Sequence, residues 1–380
     1  MSGNARWVAG GMAALAATAV ALALALTTGA RPASVVTPAQ PAAAAGCQAP
    51  GAGPAAPPSQ PVAPPAAVTV PGAVSIDTRG LVPGAVTETA DGQPWAIVRD
   101  PRSAATSGLV ARVDTARRVL GAVTPVVDHC TATAITAQGS SVWVATCDPS
   151  ATGTAADAEL VRVDGQGQIG ARVAMPTACV TQLAAGAHTV WATSAPSTTG
   201  SPRLFRLDTA TGRVDEPTPL HGEQLSGIAV LGDDPWTART AATGARLVRA
   251  DHATGADLAS LPTGALRVGG IVGTTLWVED TSAGTLVARD ATTGSAAASV
   301  PVADLRAFAV GSSGVWYEQA SPASQTITIG RVGPTNTAAA VTAFTGPGPD
   351  RTGLPFLGTL SATTGGAWLA TQDHLFLVHA

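Results

Sequence analysis

From about residue 74 onward the chain alternates short apolar runs with polar, glycine-bearing breaks. Residues 134–137 and 142–145 are typical runs: too short for helices, and lacking the clean alternation of a half-solvated strand. They read as strands covered on both faces. Between them stands the turn signal Gln138-Gly-Ser-Ser141. A second kind of break starts with aspartate: Asp164-Gly-Gln-Gly, Asp208-Thr-Ala-Thr-Gly212, Asp251-His-Ala-Thr-Gly255 and Asp290-Ala-Thr-Thr-Gly294. Aspartate accepts amide hydrogen bonds across a tight turn, and glycine takes the positive φ that other residues avoid.

The breaks recur with tryptophan. Trp95, Trp143, Trp191, Trp236, Trp277, Trp316 and Trp368 are spaced by 48, 48, 45, 41, 39 and 52 residues. Each unit reads as apolar strand, glycine turn, tryptophan strand, variable loop, leucine-rich strand, Asp/Thr/Gly turn and final strand. A strand-rich repeat of roughly 40–50 residues is the signature of a β-propeller with four strands per blade. The expected fold is therefore all-β: a seven-bladed β-propeller of four-stranded antiparallel blades. Its last unit is short, with strands at 360–364, 367–371 and 374–379. The segment Val74-Ser-Ile-Asp77-Thr-Arg-Gly80-Leu-Val82 carries a blade-like strand and turn, so an N-terminal strand is expected to close the ring and remove its open edge. The tryptophans and turn aspartates then have structural work between blades.

Composition changes the picture mainly at the N-terminus. Residues 7–28 form an uncharged apolar stretch long enough to span a bilayer as a helix. A cleaved secretory signal and an uncleaved anchor both fit, and the length favours the anchor. Residues 31–72 are Pro/Ala-rich and predict a disordered, semi-stiff spacer reaching on the order of 100 Å at ~3.1 Å per residue. The expected organisation is thus 1–30 as signal peptide or transmembrane anchor, 31–72 as linker and 73–380 as propeller. Net charge is −4 and all 21 basic residues are arginine; no basic cluster invites nucleic acid. Four cysteines suit an exported protein, and Cys130 and Cys147, flanking one hairpin, are the expected disulfide. Cys179 stands near enough in the repeat to compete for Cys147, and Cys47 lies in the spacer.

Candidate chemistry is sparse. None of the six histidines has metal-ligand spacing with another. His129 and His221 precede their tryptophans by 14 and 15 residues, which places them near the mouth of the central channel, a usual ligand position. Glu279 and Glu318 each follow a tryptophan by two residues, where a charge on a covered strand is costly unless paired. These four are the catalytic or cation-binding candidates, set against a reading as rim histidines and arginine-paired carboxylates. No nucleotide-binding glycine loop and no Gly-x-Ser-x-Gly elbow occurs.

The Leu-x-Arg-x-Asp-x-x-Thr-Gly strand and turn, with a glycine turn and Trp-Val strand ahead of it, resembles the extracytoplasmic propellers of the quinoprotein-like, YVTN and streptogramin-lyase-like repeat group. That resemblance covers about residues 74–380. Lyase-like members carry Trp-x-x-Glu and an Ile-Gly-Arg strand; Ile329-Gly-Arg331 matches the latter, while Glu279 and Glu318 stand one residue out of that register. With the apolar N-terminus and the spacer, a monomeric head outside the cytoplasm is expected, membrane-anchored or secreted. The leading expectation is a binding, scaffold or sensor module for a protein or a cell-envelope glycan, with no cofactor. The alternative is a divalent-cation-dependent lyase or hydrolase.

Overall fold

In the computed structural model the described residues are 70–379, leaving out 103–106, 129, 148–157, 195–201, 217–219, 221–222, 265, 322–325, 334–335, 346–358 and 372–373. The apolar N-terminal stretch and nearly all of the spacer lie outside them, as does Cys47. Among the described residues no helix is long and apolar enough to cross a membrane.

The chain opens with β1 (Ala73–Ile76). Blade one follows as β2 (Val82–Glu88), β3 (Pro94–Arg99), β4 (Ser107–Asp114) and β5 (Val119–Asp128). Blade two is β6 (Thr131–Gln138), β7 (Ser141–Cys147), β8 (Glu159–Val163) and β9 (Ile169–Ala174). Blade three is β10 (Val180–Ala185), β11 (Thr189–Ser194), β12 (Leu204–Asp208) and β13 (Val214–Asp215). Blade four is β14 (Gln224–Leu231), β15 (Asp234–Ala241), β16 (Gly244–Ala250) and β17 (Asp257–Thr263). Blade five is β18 (Leu266–Val272), β19 (Thr275–Asp280), β20 (Thr285–Asp290) and β21 (Ala296–Pro301). Blade six is β22 (Leu305–Gly311), β23 (Gly314–Ser321), β24 (Thr326–Val332) and β25 (Ala338–Thr345). Blade seven takes β26 (Thr359–Thr363), β27 (Gly366–Ala370) and β28 (Leu375–His379) from the C-terminus. Its fourth strand is β1, antiparallel to β28 with Ile76 opposite Leu375. The expected seven antiparallel four-stranded sheets and the N-terminal closing strand are thus present. Of the anticipated closing segment only residues 74–76 join blade seven; Val82 already belongs to the first strand of blade one.

There is no single core. Each tryptophan faces the next blade and organises a separate apolar layer there. Trp95 packs on Val142 and Val144 of blade two, and Trp143 on Val190 and Phe205 of blade three. Trp316 meets Ala367 and Leu369 of blade seven, and Trp368 meets Val86 and Ala96 of blade one, which completes the circle. Five indoles are wholly buried: Trp95, Trp191, Trp236, Trp316 and Trp368.

The arginine of the repeat has a matching role. It sits cross-strand from the tryptophan in five blades, as Trp95↔Arg112, Trp143↔Arg162, Trp191↔Arg206, Trp236↔Arg249 and Trp316↔Arg331. Cross-strand partners share a face. Arg331 accordingly lies 5.7 Å from the Trp316 ring centroid. Arg206 and Arg249 reach further and donate to the His252 and Thr292 carbonyls of the following blade. Turn aspartates act as the sequence suggests: Asp251 Oδ1 accepts from the amides of Ala253 and Thr254 and from the Thr254 hydroxyl.

One expectation needs correction. Cys147 is bonded to Cys179, not to Cys130, with an S–S distance of 2.04 Å. The hairpin turns between Gln138 and Ser141, and even after a bulge between Ala132 and Ala134 it is Thr131, not Cys130, that stands opposite Cys147. Cys179, just ahead of β10, pairs with Cys147 across the blades as an antiparallel bridge. The bond therefore joins blade two to blade three. Cys130 is buried and is itself disulfide-bonded.

Candidate functional site

The structure describes two of the four sequence candidates; His129 and His221 lie outside the described residues. Glu279 and Glu318 occupy the same place in successive blades, on β19 and β23, yet their surroundings differ. Opposite Glu279 stands Arg267, and the guanidinium approaches the carboxylate to 2.6 Å. That arginine also lies 5.3 Å from the Phe308 ring centroid of blade six. Glu279 is an ion-paired carboxylate at a blade interface.

Glu318 has Ala307 and Ile329 opposite it, neither of which can donate to a carboxylate. The residue is 0% exposed, and neither carboxylate oxygen has a hydrogen-bond partner. Burial raises its pKa from 4.5 to about 7. One residue of difference on the neighbouring strand, Arg267 against Ala307, separates the paired acid from the orphaned one.

The two glutamates do not form a pair. Side chains at i and i+2 on a strand share a face. Glu279 lies on the face of Trp277, which packs on Val315 and Tyr317 of blade six. Glu318 lies on the face of Trp316, which packs on blade seven. The sheet of blade six stands between them. Facing sheets are about 10 Å apart and a cation bonds its ligands at about 2 Å, so they cannot hold one ion together.

Among the described residues, Asp234, Asp251 and His252 bring ligand atoms within 4.8 Å of one another. Protein donors already engage this group. Asp234 accepts from Arg249 at 2.8 Å and from the His252 amide at 3.0 Å, with His252 Nδ1 at 2.9 Å. Asp251 caps its own turn. The trio joins neighbouring turns of blade four, and its chemistry is structural.

A recess of about 330 Å³ opens where the inner hairpins of blades six, seven and one meet. These hairpins connect the first and second strands of their sheets, next to the channel. Glu88 ends β2 on its wall, with Thr87, Thr89, Ser312, Thr363 and Thr364 around it. Glu88 Oε2 accepts from the Thr364 amide at 2.6 Å, and Oε1 accepts from the Thr364 hydroxyl. One carboxylate thus joins the first blade to the last while lining a polar hollow. In sequence Glu88 is an acid beside a turn, which reads as an exposed strand end. The closing of the ring is what brings it to face Thr364.

No protein-family model matches the sequence, and no curated protein matches it. Solved structures do resemble it. The Cps50 (Swd1) β-propeller domain of Myceliophteria thermophila superposes with a TM-score of 0.56 at 12% identity, over 79% of this chain and 96% of that one. A chain of the mitotic checkpoint complex gives 0.55 at 11% identity, over 82% and 92%. BamB from Moraxella catarrhalis gives 0.45 at 16% identity, over 80% and 88%. At these identities the likeness is one of fold alone, and the chain's own seven four-stranded sheets make it a seven-bladed β-propeller.

Proposed function

We propose that this propeller is a non-enzymatic binding head, held outside the cytoplasm by its apolar N-terminal segment and Pro/Ala-rich spacer. It recognises a partner protein or a cell-envelope glycan. The observation that carries the reading is the polar recess shared by three blades, with Glu88 on its wall and threonine and serine hydroxyls around it. Such a hollow suits a hydrogen-bonding guest, such as a basic side chain or a sugar hydroxyl, better than an apolar one. Propeller neighbours support the protein-binding half of the proposal, since one of them is named as part of a checkpoint complex.

Site-specific photo-crosslinking in native envelope tests it. A photoreactive residue at Ser312 should give a reproducible adduct with one protein or glycan, and the same probe at the exposed Leu258 should not. Thr87→Trp, which fills the recess, should abolish the adduct. No adduct at Ser312, or identical adducts at both positions, would remove the recess from the binding reading.

A further inference from the structure

Glu318 is anomalous within its own repeat. The corresponding residue is Ile97 in blade one, Ala145 in blade two, Thr193 in blade three, Ala238 in blade four and Ala370 in blade seven. Blade five has the paired Glu279. Blade six alone buries an unpartnered carboxyl there.

Among the described residues, the elements packed round it offer no counter-charge. Arg331 of β24 stacks on Trp316 and donates to the Ser313 carbonyl. Arg306 of β22 is exposed. His374 and His379 stand at opposite ends of β28, and His374 is in ring contact with Phe376, 5.6 Å between centroids. Strands β25, β26 and β27 carry no charged residue. The blade-seven surface facing Trp316 and Glu318 is Leu360, Ala362, Ala367, Leu369, Phe376 and Val378. A charged carboxylate has no favourable place in such a layer; a neutral carboxylic acid is tolerated far better.

We propose that the joint between blades six and seven is proton-operated: closed while Glu318 carries its proton, and loosened when Glu318 ionises. The joint adjoins the sheet that closes the ring, so its loosening acts where the toroid is completed by strands from both ends of the chain. An opened joint lets water reach the carboxylate and relieves its desolvation. The burial-raised pKa of about 7 sets the window. The closed state binds the proton more tightly than the opened one. Its full stability is therefore present below pH 4.5, declines as pH rises towards 7, and is flat above that.

Hydrogen exchange on the full chain, normalised for the intrinsic pH dependence of exchange, tests the idea. From a folded pKa of about 7 and an open-state value of 4.5, the opening equilibrium of amides in β23, β26 and β27 should rise roughly 30-fold between pH 5.5 and 8.5. Amides of blades two and three should show no such rise. Glu318→Gln and Glu318→Leu should each flatten the response, and the leucine variant should keep the joint closed at pH 8.5. The leucine variant covers the case in which a buried glutamine fails to fold. Equal opening of the wild-type joint at the two pH values would overturn the proposal. So would a rise that persists in a Glu318→Leu chain.

Discussion

The closing strand invites a quantitative test. Ile76 is the last residue of β1, 2% exposed, packed among Leu81, Val86, Trp368, Leu375 and Leu377. These neighbours come from blade one and blade seven, so Ile76 holds the seam on both sides. Ile76→Ala removes three carbon atoms from a filled site. At about 0.8 kcal/mol per buried methylene the transfer loss is about 2.4 kcal/mol. Incomplete collapse of the cavity adds to this, and about 3 kcal/mol in total lies within the range seen for such truncations. Deleting the strand altogether should do more than its area suggests, because β28 then presents an unpaired edge to other molecules. The assay compares a chain beginning at Val70 with one beginning at Thr78. Urea unfolding followed by tryptophan fluorescence gives stability, and light scattering gives mass. The shortened chain should unfold at lower urea and self-associate as its concentration rises. Equal midpoints and an unchanged mass would refute the view that β1 seals the ring.

Other outcomes follow from particular contacts. Replacing Cys147 and Cys179 by serine should lower stability by about 3.7 kcal/mol, the loop-closure value for a 32-residue separation, read from guanidinium midpoints. Gly330→Ala should cost about 1–3 kcal/mol, because the new methyl would meet the Tyr317 ring, and Tyr317→Leu in the same chain should recover most of it. Arg267→Ala leaves Glu279 buried without its partner; as the arginine is 39% exposed, a loss of about 1–2 kcal/mol is expected. Adding Glu279→Gln to that chain should restore thermal stability. The turn carboxyls of Asp208 and Asp290 are held below the ordinary range by threonine amides and hydroxyls, and that of Asp251 by the Thr254 hydroxyl and amide. Their contribution is present at neutral pH and is lost as pH falls through the folded-state values. Protection of these turns against hydrogen exchange should drop in acid, and Asp290→Asn should blunt the drop in its own turn.

Much of the architecture was legible because it repeats. Tryptophan spacing and aspartate turns are local signals, and a sevenfold copy makes each one stronger. The closing strand was legible because blade seven lacked a strand and residues 74–82 looked like part of a blade. Cross-strand register was harder. Bulges interrupt the first hairpin of six blades, at Val180/Gln182 and Ala307/Leu305 for instance, and the sequence does not mark them. In blade two the hairpin turns between Gln138 and Ser141, and even with its bulge Cys130 falls one position short of Cys147, which instead bridges to Cys179. The glutamates stood out as charges on covered strands, but which one would be paired depended on residues some ten positions upstream, Arg267 and Ala307. Glu88 gave no signal at all, since its partner Thr364 lies 276 residues away.

The pairing of β1 with β28 carries a consequence for biogenesis. Ribosomes deliver a chain from its N-terminus, so β1 emerges first among the strands and β28 last. For the whole of that interval the earliest strand has no partner, and blade one lacks the neighbour that covers Val86 and Ala96. The toroid becomes complete only when residues 375–379 arrive. Products truncated before β28 therefore retain one raw edge, which the complete ring hides.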